Sequence, residues 1–473
     1  MSVHAARFLE ALRDDDAARA KTVLDGHPEL ARHSIHTAAA VADPALVAAF
    51  LATDPARATR ASAADGTEPI IFACHAGLQR LLGVGDADRV HTVRLLLDAG
   101  ASANAAMTLA DDPSATISAL YFACVSNNVA VARLLLERGA NPNDGESIYH
   151  AAERNHRDCL DLLLTHGADV SGAHATWGNT PLYFLAGYKE DHPHYASSTL
   201  GMQWLLEHGG NPNVPSYVKS GRDDAPSHAL SDALSDAPGN AEIPLHRVAA
   251  FGRSVDVARL LVGYGAVVDA RRDDGKTAYA MAMRTGNDGV ATYLAECGAD
   301  TSSLTPVDRL LASCIRADER AARDILTHHP ALMATLTAAD RQTLALAVEQ
   351  DRESSVRLMV ALGWKLDDEG DWGGTPLHWA AWHGRVNMTR VLLECGAPVN
   401  VGDSTYGSSP IAWASHGSTN ARPGNDADYV AITEMLLGAG STHAESYNRW
   451  GESPESMASE AVAKVLRQCG FAA

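Results

Sequence analysis

The sequence predicts an all-α solenoid of about a dozen stacked helix-turn-helix units, joined by short β-hairpin loops and several of them degenerate or carrying insertions. Three observations predict it. Residues 371 to 400 hold a complete two-helix grammar, from Thr375-Pro376-Leu377-His378 to Gly396-Ala397. Variants of that stretch recur along nearly the whole chain. The glycines that close the second helices keep a fixed step, with Gly265 to Gly298 and Gly363 to Gly396 each 33 residues apart.

Within that stretch each residue type has a physical task. Thr375 can cap a helix whose first-turn Pro376 has no amide proton to leave unpaired. Leu377 points to the core, and Ala380-Ala381 keep one face thin for close packing. Gly384 ends the helix in a left-handed turn, and Gly396 does the same after the buried Val391-Leu392-Leu393 run. This pattern closely resembles the ankyrin repeat family, and the chain looks like a bacterial-type ankyrin repeat protein. The resemblance implies a non-catalytic scaffold that binds a protein or peptide partner in a concave groove. It also implies that His246 and His378 brace the hairpin backbone.

Composition narrows the function classes. Hydrophobic residues at 46% and charged residues at 20% describe a folded chain. A formal net charge of -20 argues against nucleic acid and against an anionic membrane surface. No secretory leader pattern opens the chain, and no apolar run approaches the roughly 18 residues of a membrane span. Register explains five of the seven cysteines as small packing residues, so neither a disulfide framework nor zinc is required. A reduced, cytoplasmic protein without cofactor is expected.

Taken in order, residues 5 to 31 and 38 to 55 read as end units, closing in His27-Pro28 and Asp54-Pro55. Better repeats begin at Asp65-Gly66-Thr67. From the position matching His378 to the next helix-ending glycine, regular units need 18 residues, as from Tyr149 to Gly167. Three units need 29, 26 and 28, which predicts insertions near 78–90, 187–199 and 417–428 between paired helices. Such loops are more often functional than decorative. A further segment, Val214 to Asn240, reads as a flexible loop. Residues 305 to 331 repeat the pattern of the first end unit. Two arrangements therefore stand open: one stack over 1–304 with a second over 305–473, or one continuous array.

Chemistry-bearing motifs are few. Gly275-Lys276-Thr277 is in register as a hairpin tip and helix cap, with Ala270 where a phosphate loop needs glycine. Asp191-His192-Pro193-His194 lacks a second ligand pair, so no metal site is expected. The richer signal lies just before the paired small residues of each first helix, the position that faces the groove in the family. Read in register it holds Phe72, Phe122, His150, Phe184, Arg247, Met281, Arg309, Leu346, Trp379 and Trp413. Six of the eight tryptophans, Trp364, Trp372, Trp379, Trp382, Trp413 and Trp450, fall in the last quarter. The candidate binding residues are Trp379, Trp382, His383, Trp413, His416, Phe184, His150 and Phe122. Trp379 and Trp413 are expected side by side and exposed, so that truncating either costs no more than about 1 kcal/mol. The competing expectation is that the insertions at 187–199 and 417–428 fold over these rings. A second function class is a small-molecule or enzymatic pocket roofed by the insertions, with His150, Tyr183, His383 or His416 as polar groups.

Overall fold

The computed structural model describes residues 3–14, 16–62, 66–108, 116–175, 177–189, 192–216, 241–421, 425–442 and 448–471. They form an all-α array of antiparallel helix pairs. The expected loop at Val214 to Asn240 lies outside the described residues beyond Ser216, as does Asp191. Among the described residues no helix is long and apolar enough to cross a membrane.

Two compact units result. The first takes in Met1–Lys219, Ala241–Leu245 and Arg259–Val267, the second His246–Ala258 and Val268–Ala473. In the first unit the end pair Val3–Arg13 and Ala17–Gly26 buries Phe8, Leu9, Leu12 and Leu24, with Phe72 in the same cluster. Pairs such as Ala119–Val125 with Val129–Glu137, and Ser147–Glu153 with Arg157–Thr165, follow. In the second unit one continuous core runs from Leu310 through Leu377, Leu392, Ile411 and Ile432 to Leu466.

The helix ends follow from the chemistry of the chain. Thr375 and His378 cap each other, the Thr375 N–H donating to His378 Nδ1 at 3.0 Å. That leaves Nε2 to carry the proton and donate to the Ser408 carbonyl at 2.9 Å, tying one repeat to the next hairpin. Burial pushes the pKa of His378 down to about 4, so the brace is neutral. His246 makes the same bond to Ala270 O, and His36 to Arg60 O. Tyr149 takes this place in its own repeat and donates to Asn179 O at 2.7 Å. Gly396, at φ 86°, adopts the left-handed turn that releases Ala397 N–H to bond Leu392 O.

A second tie between repeats carries no sequence expectation. Asn143 donates to Gly167 O at 3.1 Å and accepts from Asp169 N at 2.7 Å. Asn104, Asn213 and Asn400 bridge to Gly139, Gly265 and Gly440 in the same manner. Each such side chain satisfies both a carbonyl and an amide that a helix end leaves open.

The hairpins are mostly turns. Among the described residues, one strand pair forms, Ala106–Thr108 against Thr116–Ser118, with isolated bridges at Ser216–Glu242 and Arg271–Thr277. Gly275-Lys276-Thr277 sits at such a tip, where Thr277 caps the following helix through Ala280 N. The insertions are largely helical. The one near 78–90 adds the helix Ala76–Leu81, and the other two lengthen Tyr195–Glu207 and Pro410–Asn420. Residues 422–424 of the last lie outside the described residues.

Candidate functional site

In the second unit the helices Pro376–Trp382 and Pro410–Asn420 lie side by side. Gly417 allows this approach, since a Cβ there would meet Trp382 O at 2.6 Å. The pairing brings five of the candidate residues, Trp379, Trp382, His383, Trp413 and His416, to one pocket of about 740 Å³. Trp382 meets Trp413 at 6.1 Å and 74°, and His416 at 5.4 Å and 72°. Trp379 crosses Trp413 at 5.2 Å and 80°, and His383 stacks on Trp379 at 5.7 Å. The three near-perpendicular pairs among them are the edge-to-face arrangement that aromatic quadrupoles favour.

The exposure expected for Trp379 and Trp413 is corrected here, because each ring is only 7% exposed. The cause is local packing. The tip of Trp413 lies against Gly374, where a Cβ would stand 2.8 Å from Cη2. Its Nε1 donates to Asp403 Oδ2 at 2.9 Å. Trp379 Nε1 lies beside the same glycine, at 3.3 Å from the place of its Cβ. Each ring thus anchors in the repeat core and presents only an edge or face to the pocket. The insertion also contributes, since Thr419 and Asn420 line one side.

The pocket has a lip that the sequence reading missed as a site. Trp372, Tyr406 and Trp450 stand on three successive hairpins. Trp372 and Tyr406 stack at 5.6 Å and 16°, and Tyr406 meets Trp450 at 5.9 Å. The signal was present as a repeated string: Trp372-Gly373, Tyr406-Gly407 and Trp450-Gly451, each followed two residues later by Ser or Thr and then Pro. Trp372 adopts φ 59°, a conformation that a bulky side chain takes only at a cost of order 1 kcal/mol. Trp450 is 68% exposed. The charged lining groups are the carboxylates Glu349 and Glu452.

Phe122, His150 and Phe184 belong to the first unit, where they form a separate aromatic row. Phe122 is 6% exposed, covered by His75 at 3.9 Å, and so is not the open surface expected of it; Phe72 is fully buried. His150 packs edge-on between Tyr121 at 5.2 Å and Phe184 at 5.5 Å. Its Nδ1 meets Glu153 at 2.7 Å and its Nε2 meets Glu146 at 3.3 Å. Burial disfavours the charge on His150, but the two carboxylates outweigh it and hold the pKa up at about 9. Burial would raise Glu146 and Glu153 too, yet the histidines around them hold both at about 2. Tyr188, from the 187–199 insertion, donates to Glu153 at 2.5 Å. Tyr183 donates to Glu242 at 2.6 Å. His192 lies on Tyr188 at 4.2 Å and accepts from His194 N through Nδ1.

Family models described as ankyrin repeats match residues 194–304 and 312–421 in three-copy form, and 117–147 and 144–173 as single repeats. Together they span more than half of the chain. An ankyrin repeat protein of fowlpox virus (strain NVSL) is 26% identical over 181 residues, 36% of this chain and 44% of the relative. The chain thus spans less than half of that relative's length, and the relative is viral rather than bacterial. The crystal structure of the human ASB11 ankyrin repeat domain is similar at 23% identity and a TM-score of 0.38, over 55% of this chain and 96% of that one.

Proposed function

Because this chain belongs to the ankyrin repeat family, we propose that it is a non-catalytic scaffold that binds a protein or peptide partner in the pocket of the second unit. One observation carries this reading: six aromatic side chains converge on a single concavity, and one of the three on its rim, Trp450, stands 68% exposed. Exposed tryptophan beside a preformed aromatic wall is what interface hot spots are made of. Of the polar groups of the catalytic reading, His150 is held between two carboxylates and Tyr183 on Glu242, while His383 and His416 line the pocket itself. Seven free thiols, three of them partly or fully exposed, suit a reducing compartment such as the cytoplasm.

The test uses the full chain and its Trp450→Ala variant as baits in a lysate of the source cell, with quantitative mass spectrometry of what is retained. Truncating an exposed ring should change stability by no more than about 0.5 kcal/mol. A partner held by the wild-type chain and lost from the variant, with both melting alike, supports the pocket. Equal retention places the binding surface elsewhere.

A further inference from the structure

We propose that the pocket of the second unit takes an arginine side chain of the bound peptide. This rests on the peptide-binding reading above and adds the chemistry of the ligand. Two features of the walls point to it. Trp382, Trp413 and His416 offer crossed faces, and Trp372 and Tyr406 offer a parallel pair at the lip. Aromatic faces carry the negative end of the ring quadrupole and attract cations.

The polar lining is acceptor-rich. Its charged groups are Glu349 and Glu452, and among the described lining residues none is lysine or arginine. Glu452 Oε2 accepts from Asn448 Nδ2 at 2.7 Å, which holds the carboxylate at the rim with further lone pairs available. Asn420 Nδ2 is spent on His416 O at 3.0 Å and Thr419 Oγ1 at 2.8 Å, so its amide presents oxygen rather than nitrogen. Burial lowers the pKa of His416, which keeps that ring uncharged at neutral pH and removes a competing cation. The whole chain, at a net charge of -20, favours the approach of a basic segment.

A guanidinium fits these walls better than an ammonium. It is planar, so it stacks on an indole while its edge donates to a carboxylate, and it is more weakly hydrated. A cavity of about 740 Å³ is also larger than one side chain needs, leaving room for the flanking peptide backbone.

The experiment is selection of a random-peptide display library on the full chain, with parallel selection on Trp450→Ala. Binders that need Trp450 should be enriched in arginine. In the best of them, replacing that arginine by citrulline, its neutral isostere, should weaken binding about 10-fold or more. Glu452→Gln should weaken the arginine peptide several-fold and leave the citrulline peptide unchanged. Binders that need Trp450 but carry no essential arginine overturn the inference and leave the pocket reading standing. A selection that yields no Trp450-dependent binder counts against the pocket itself, and with it the inference.

Discussion

Trp413→Ala is the perturbation that best tests how the candidate site is built. The ring is 7% exposed, lies against Gly374, crosses Trp379 at 5.2 Å and donates its indole N–H to Asp403 at 2.9 Å. A tryptophan of this kind removes about 200 Å² from water, which at roughly 25 cal/mol per Å² amounts to about 5 kcal/mol as an upper bound. Measured truncations of buried aromatic residues fall at about 3–5 kcal/mol. Asp403 keeps the Ser408 amide at 2.9 Å, so it is not stranded, and the lower half of that range is expected. The assay is urea unfolding followed by far-UV circular dichroism, with hydrogen exchange at Pro410–Asn420 to localise the loss. Leu377→Ala, at a fully buried position, serves as the scale and should cost roughly 2–5 kcal/mol. Trp413→Phe keeps one aromatic ring but loses the indole N–H to Asp403 and the Cη2 tip against Gly374, so its cost should lie between zero and that of Trp413→Ala. A loss within about 1 kcal/mol for Trp413→Ala would refute the packing argument and restore the exposed ring expected from the sequence.

Three further outcomes follow from charge. His150 is held at about 9 against an ordinary 6.5, so its contribution to stability is complete below pH 6.5 and is lost as pH rises toward 9. Glu146 and Glu153, held at about 2 against 4.5, contribute above pH 4.5 and lose that contribution as pH falls toward 2. The same ion pairs are seen from both ends, so the terms do not add, and the His150 side amounts to at most about 3 kcal/mol. Unfolding free energies should therefore be highest between about pH 4.5 and 6.5 for this cluster, and His150→Gln should abolish the decline from pH 6.5 to 9 relative to wild type; an unchanged pH profile would refute the pairing. In the second unit Arg284 is buried between Asp308, at 2.9 Å, and Asp340. Arg284→Met should cost about 3–5 kcal/mol by urea unfolding, and adding Asp308→Asn and Asp340→Asn should recover most of it. A chain cut at 304/305, as the proposed second stack would be, keeps both carboxylates without their arginine, and the same two substitutions should raise its melting temperature.

The repeat architecture was legible because each of its signals is local. Thr375-Pro376, the paired alanines and Gly396 act within a few residues of themselves, and the period places them whatever the neighbours are. The His378 brace also reaches the next repeat, at Ser408 O, and was expected only because the resemblance to the ankyrin family implies it. The asparagine ties escaped notice because Asn143 and Asn400 meet their carbonyls on the following repeat, and nothing adjacent in sequence marks the pair. Asp308 illustrates the limit differently. It takes the place of His378 in its repeat and caps Thr305 at 2.9 Å, as a sequence reading could expect. Its ion pair with Arg284 depends on how the preceding repeat stacks.

Burial at the site was the harder property, and the reason is geometric. A register argument fixes which face of a helix a side chain leaves from, but not what waits opposite that face. Trp379 and Trp413 leave from the expected face and then bend over Gly374, a residue whose missing side chain is invisible to periodicity and decisive for packing. The lip of the pocket is supplied from the hairpins by Trp372, Tyr406 and Trp450, which hold equivalent places in successive repeats yet lie outside the helices where a helical stripe is sought. Trp372 holds φ 59° in doing so. A bulky residue keeps a left-handed backbone only where its surroundings over-determine it, and the Tyr406 ring stacked at 5.6 Å supplies that constraint. The lip is thus set before any ligand arrives, and a preordered aromatic lip spares a partner the entropy of ordering it.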